Sequence, residues 1–163
     1  MVTVGVLIST ETDRLTITID DNGCGMTAEQ VARVTDPFYT TRTTRKVGLG
    51  VPFFKMACEA TGGTFSITSA PGIGTKVQAE FVLSHIDRMP LGDMNATMHQ
   101  LIVMHPACDF LYTYEFDHRN FTLDTREFRE ILGNIPFDVP EVSQYLKQYL
   151  SENTDEVSQG QVV

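Results

Sequence analysis

The sequence has no tryptophan and only three cysteines, Cys24, Cys58 and Cys108. Their number is odd and no two form a Cys-x-x-Cys pair, which argues against a zinc site or a disulfide framework and fits a reducing cytoplasm. No apolar run approaches the roughly 18 residues that a membrane-spanning helix needs. The opening, MVTVGVLIST, has neither a basic stretch nor a small-residue cleavage site, so it does not read as a signal peptide. Positive charge is scarce as well: 12 Lys and Arg stand against 21 Asp and Glu, a net charge of −9. The deficit is uneven. Residues 1–84 carry 7 cations and 8 anions, whereas residues 85–163 carry 5 and 13. Phosphate neutralisation needs clustered cations, so the acidic second half argues against a nucleic-acid surface and against docking on anionic lipid. Its plain reading is a solvated face.

What is present suffices for one domain with an appendage: 163 residues, 42% of them hydrophobic. Residues 2–9 alternate as a strand, ETD turns, and RLTITID (14–20) alternates again, so a hairpin is expected. Thr27 with Gln30 three residues later is a capping-box pattern, opening a short helix to about Val34. DPFYTTRTTRKVG is a polar, basic loop. LGVPFFKMACEA reads as an apolar helix, with Pro52 tolerable only in the first turn. TGG closes it, TFSITS is a strand, APGIG a turn and TKVQAEFVL another strand. The composition changes near SHIDRMPLGD. Beyond that junction the pattern is a helix over 94–104, strands DFLYTYEF and FTL across DHRN, a helix TREFREILG with Asp124 and Glu127 at its start, and a helix PEVSQYLKQYL. The tail SENTDEVSQGQVV is polar and is expected to fray. The boundaries are therefore 1–84, 85–150 and a flexible tail 151–163.

Four short motifs, three of them glycine-rich, occur in order: Asp21-Asn22-Gly23-Cys24-Gly25, Asp36-Pro37-Phe38-Tyr39-Thr40-Thr41, Lys46-Val47-Gly48-Leu49-Gly50-Val51, and Gly72-Ile73-Gly74-Thr75. Singly, each has a plain structural reading: Asn-Gly is a common turn and lone glycines serve backbone geometry. Together, in this order and spacing, they resemble the GHKL ATPase superfamily, and most closely the ATP-binding domain of bacterial histidine kinases. The resemblance covers about residues 2–84. It implies an α+β two-layer sandwich of the Bergerat type, a mixed sheet with helices on one face, here followed by a small α-β-β-α-α appendage.

The resemblance also assigns roles. Asp21 matches the acid that accepts from the adenine amino group, a task suited to a group that only accepts. Gly23 and Gly25 let backbone approach the ring, and Thr75 matches a hydroxyl that helps hold it. Gly48, Leu49 and Gly50 match the phosphate box, where a helix start offers free N–H groups to phosphate oxygens. Arg42, Arg45 and Lys46 lie in the lid, where cations could reach the outer phosphates, against the even alternative of a solvated loop. Phe38 packs the lid's hinge and Pro37 fixes the turn.

Two features depart from the pattern. Lys46-Val47-Gly48 stands where the phosphate box often reads Gly-Thr-Gly, and the lid is short, about ten residues from Phe38 to Gly48. The family also carries an upstream helix whose asparagine holds magnesium and, in hydrolysing relatives, an acidic base. This chain starts at the first strand, so the expectation is weak binding of ATP or ADP, a family magnesium without its ligand, no assigned metal or catalytic residue, and no turnover by the chain alone.

His85, His99, His105 and His118 read as structural or surface residues, because none lies in a long helical hairpin suited to a phosphoacceptor. The alternating aromatics Phe110, Tyr112, Tyr114 and Phe116 read as a packed face, since no basic residues interleave them. The leading expectation is a histidine-kinase-like ATP-binding domain acting in phosphotransfer or nucleotide-gated signalling in a bacterial cytoplasm, with a protein partner at residues 85–150. The alternative is a non-catalytic nucleotide-sensing or interaction module. A gyrase-type motor is disfavoured by the short lid. An exposed sheet face would favour a homodimer.

Overall fold

The structure, a computed structural model, describes residues 1–36, 48–133 and 135–163. Its elements are β1 (Val2–Ser9), β2 (Arg14–Asp21), α1 (Ala28–Arg33), α2 (Gly50–Glu59), β3 (Thr64–Ala70), β4 (Gly74–Val82), α3 (Met94–Met104), β5 (Phe110–Phe116), β6 (Arg119–Asp124), α4 (Thr125–Leu132) and α5 (Pro140–Ser158). The strands form one mixed sheet in the order β3-β4-β2-β1-β5-β6. All neighbours are antiparallel except β1 and β5, which run parallel. The appendage strands thus continue the first sheet.

Register assigns the two faces. Val4 pairs with Ile19 and Tyr112, Val6 with Ile17 and Tyr114, and Ile8 with Leu15 and Phe116. Opposed residues point the same way, so these side chains share the helix-covered face with Ala79, Phe81, Phe121 and Leu123. Ile8, Ala79 and Tyr112 are completely buried there. Each large apolar side chain taken out of water contributes about 1.5–3 kcal/mol. The other face carries Thr3, Thr16, Thr18, Gln78, Thr113 and Thr122 and stays open. The alternation of Phe110, Tyr112, Tyr114 and Phe116 does make a packed face, with all four rings buried.

Local chemistry fixes the ends of the elements. Thr27 and Gln30 form the expected capping box of α1. Asp93 caps α3 through Ala96 N–H and Asp124 caps α4 through Arg126 N–H. Pro52 is the third residue of α2, inside its first turn, where no intrahelical donor is lost. Two aspartates in left-handed turns tie hairpins to distant chain. Asp13 (φ 56°) accepts from the N–H and hydroxyl of Ser84, and Asp117 (φ 45°) from those of Thr10.

Two expectations are corrected. β6 is longer than FTL and runs over Arg119–Asp124, because the turn needs only Asp117 and His118, both at positive φ. The polar tail does not fray at 151. α5 continues to Ser158, burying Val157 after Leu146 and Leu150, and Leu91 N–H donates to the Val163 carbonyl at 3.1 Å.

Candidate nucleotide site

Asp21 is the last residue of β2 and lies directly opposite Thr75 of β4. Thr75 in turn lies opposite Ser69 of β3. The three side chains therefore stand in a row across three strands, on the helix-covered face at one end of the sheet. Asp21 Oδ1 accepts from Gly23 N–H at 2.8 Å, closing a tight turn. Among the described residues nothing donates to Oδ2. A Cβ at Gly23 would fall 2.7 Å from Oδ1, so a side chain there would have to displace the Asp21 carboxylate.

The row is braced from behind. Ser69 Oγ donates to the Gly74 carbonyl at 2.7 Å and accepts from Met26 N–H at 2.8 Å. It lies 2.9 Å from Thr75 Oγ1. Since the one Ser69 proton goes to Gly74, the Thr75 hydroxyl must donate to Ser69. Both Thr75 lone pairs then remain for a ligand. Gly72 N–H donates to the Cys24 carbonyl at 2.8 Å, seating the β3–β4 turn against the 21–26 loop. At Gly25 (φ 66°) a Cβ would lie 1.9 Å from the Ala70 carbonyl oxygen, and at Gly74 (φ 131°) 1.8 Å from that of Asp21. Backbone packs on backbone at both points. Ser69 was not singled out from the sequence. Its signal, a hydroxyl two residues before Pro71-Gly72, gains meaning only from the register opposite Thr75.

Gly48, Leu49 and Gly50 open α2. Leu49 is its N-cap and makes no side-chain cap bond, so among the described residues no side chain caps the first N–H groups. A Cβ at Gly50 would meet nothing within 4 Å. The far end of α2 is pinned, with Gly63 N–H bonded to the Cys58 carbonyl and Gly63 pressed against the Glu80 carbonyl. Phe38, Arg42, Arg45 and Lys46 lie outside the described residues.

Farther along the same face is an apolar cavity of about 320 Å³ walled by Leu15, Ile17, Phe54, Ala57 and Phe81. It offers nothing to a phosphate. A shallower depression of about 350 Å³ at the strand ends is shared by Asp21, Ser69 and Thr75 with Asp20, Thr68 and Lys76 of the open face. Among the described residues no three His, Cys, Asp or Glu side chains gather where they could hold a metal ion. The histidines sit elsewhere. His99 bonds Ser143 between α3 and α5, His105 ends α3, His118 occupies the β5–β6 turn, and the His85 ring accepts from Asp87 N–H. No helix among the described residues is long and apolar enough to cross a membrane.

Residues 1–85 match the family model described as histidine kinase-, DNA gyrase B-, and HSP90-like ATPase. Over 72 residues the chain is 36% identical to a putative sensor protein of Shewanella frigidimarina, covering 44% of this chain and 11% of that protein. It is 32% identical over 74 residues to the sensor histidine kinase YxdK of Bacillus subtilis, covering 43% and 23%. It is 38% identical over 61 residues to the sensor histidine kinase ZraS of Klebsiella oxytoca, covering 37% and 13%. The matched segment is thus at most about a quarter of each relative's length. The solved catalytic domain of the histidine kinase ThkA aligns at a TM-score of 0.40 and 18% identity, covering 53% of this chain and 57% of that one.

Proposed function

The chain belongs to the histidine kinase-, DNA gyrase B- and HSP90-like ATPase family, and from that premise we propose that it binds ATP or ADP at the strand ends around Asp21. The observation that carries this reading is the row Asp21–Thr75–Ser69. Asp21 Oδ2 and the free lone pairs of Thr75 are both acceptors on one face. The matching ligand edge must therefore donate, as the exocyclic amine of adenine does. Gly23 and Gly25 leave the backbone bare beside that edge. The phosphates would lie toward the uncapped first turn of α2 at Gly48, Leu49 and Gly50, whose N–H groups and dipole favour anions. Arg42, Arg45 and Lys46, with Phe38 as hinge, would close over them as the lid.

The proposed role is nucleotide-gated signalling. Residues 1–84 form the nucleotide part and residues 85–150 dock a protein partner. Because β5 pairs with β1 along its length, a shift at the strand ends passes directly into the appendage. Phosphotransfer would need a phosphoacceptor, and none of the four described histidines stands beside Asp21.

Calorimetric titration with ADP and ATP, with and without magnesium, tests the proposal. Asn at 21 can still accept from Gly23 N–H but can turn an amide donor toward the adenine amine. Asp21→Asn is expected to weaken binding at least tenfold, about 1.4 kcal/mol or more, with the fold intact. Equal affinity in the two proteins would overturn the site. Sustained ATP turnover that Asp21→Asn abolishes would replace gating with catalysis.

A further inference from the structure

Three rings cluster on the outer side of the appendage. Phe128 of α4 lies 6.3 Å from Tyr145 and 5.2 Å from Tyr149 of α5, centroid to centroid, and the two tyrosines are 6.4 Å apart. The cluster is not sealed: Tyr145 is 59% exposed. Ile131 follows Phe128 by three residues, on the same side of α4, and is 84% exposed. Ile135, just beyond the helix, is 52% exposed. Large apolar side chains grouped at the surface mark interaction sites more often than scattered ones do.

The surroundings of this patch are acidic. Glu127, four residues before Ile131, is its neighbour on α4. Asp138 and Glu141 lie at the start of α5, and Glu141 is one turn before Tyr145. None of these three forms a close ion pair among the described residues, and Arg126, the cation that feels Glu127, is bonded to Asp124. The local cations are otherwise engaged. Arg126 is paired with Asp124, and Arg129 is held by Asp109 and the Pro106 and Cys108 carbonyls, with its guanidinium 5.4 Å from the Phe137 ring centre. Lys147 is two residues from Tyr145 and so projects away from it.

We propose that the α4–α5 face, centred on Ile131, Tyr145 and Phe128, docks a basic amphipathic helix of a partner protein. The helix lays apolar residues spaced i, i+3/i+4 on the patch and sets Lys or Arg against Glu127, Asp138 and Glu141. Charge complementarity selects this occupant. A second copy would bring the same uncompensated acids face to face. The apolar centre supplies contact area, and the carboxylate rim supplies steering and salt sensitivity. The inference deepens the partner-docking role proposed for residues 85–150 by giving it a surface and a chemistry. It does not depend on nucleotide binding.

The test uses the whole chain and a labelled Leu/Lys amphipathic peptide of about 18 residues, long enough to hold helical form. A Leu/Glu peptide of the same pattern is the control. Binding is followed by fluorescence anisotropy and mapped by amide shifts. The Leu/Lys peptide is expected to shift amides of α4 and α5 and to bind severalfold more weakly as salt rises. Ile131→Ser with Tyr145→Ser should weaken it about tenfold. Both residues are exposed, so the melting temperature of that variant should hold. Equal binding by the double variant, equal binding of the Leu/Glu peptide, or no binding would overturn the proposal. Shifts elsewhere in 85–150 would overturn this surface while leaving a partner-docking role standing. Concentration-dependent self-association lost in the double variant would assign the patch to a second copy instead. ADP titrated into the same sample reports separately on the nucleotide site.

Discussion

Ser69 Oγ and Thr75 Oγ1 face each other at 2.9 Å on adjacent strands, and the Ser69 proton is already committed to the Gly74 carbonyl. The serine therefore orients the threonine, its own proton and lone pairs already taken by Gly74, Met26 and Thr75. Ser69→Ala strips partners from Met26 N–H and the Gly74 carbonyl, and an unpartnered polar group costs about 1–3 kcal/mol when water cannot reach it. It also frees Thr75 to rotate. The expected result is a lower melting temperature together with weaker ADP binding. A double-mutant cycle with Thr75→Val should give a coupling of about 0.5–3 kcal/mol in binding. Independent effects would mean that Ser69 serves the loop alone.

Gly74 and Gly50 make opposite predictions. A Cβ at Gly74 would lie 1.8 Å from the Asp21 carbonyl oxygen, at a φ of 131° that side chains avoid. Gly74→Ala must push the end of β2 aside and carry Asp21 with it. Reduced stability and reduced nucleotide affinity are both expected. Gly50→Ala meets nothing within 4 Å and suits a helix start, so stability should hold or rise by up to about 1 kcal/mol. Any loss in that variant should be confined to ATP and ADP affinity, with adenosine bound as before. An equal loss for adenosine would place the base, not the phosphates, at Gly50.

Much of this was legible in the sequence, for reasons particular to each segment. The alternation in FLYTYEF fixed a strand and its buried face, and Thr27 and Asp124 marked helix starts by cap chemistry. The acid at 21 stood out because it runs into two glycines, whereas the hydroxyl at 75 was singled out only through the family resemblance. Strand order was not legible, because the parallel pairing of β5 with β1 joins residues more than a hundred positions apart. Ser69 was hidden for the same reason, its role coming from a neighbouring strand. In SENTDEVS a single buried valine, seven residues after Leu150, sustains the helix among polar residues that suggested a frayed end. At α4 the expected reciprocal cap is replaced by Asp124 alone, gripping both the N–H and the guanidinium of Arg126.

Two carboxylates contribute to the acid limb of stability. The Arg126 side chain holds Asp124 below the usual carboxylate range, and the Thr10 hydroxyl and N–H do the same for Asp117. A depressed folded-state value means that each contribution is whole above the unfolded value of about 4 and is lost as pH falls through the folded one. The melting temperature should be level between about pH 7 and 5 and should fall below about 4. Asp117→Asn with Asp124→Asn should flatten that fall. The alkaline limb has the opposite sign. Burial raises Tyr112 and Tyr114, so their contribution is whole below about pH 10 and is lost above it. An acid limb of the same slope in the double variant would remove these two groups as its cause.

The Tyr112 hydroxyl is the one buried side-chain polar atom among the described residues without a hydrogen-bond partner. The ring itself is well placed, completely buried and edge-on to Phe121 with centroids 5.8 Å apart. Its environment thus favours the ring and penalises the oxygen. Leaving such a group unbonded costs about 1–3 kcal/mol, whereas Phe would keep the shape. Tyr112→Phe is expected to raise stability by about 1 kcal/mol, or about 2–4 °C in melting temperature for a chain of this size. The void left by the oxygen offsets part of the gain, because lost packing also costs energy. A clear drop in melting temperature would show that the hydroxyl is bonded in solution, to a buried water beneath α3 and α5, and that this water belongs to the core.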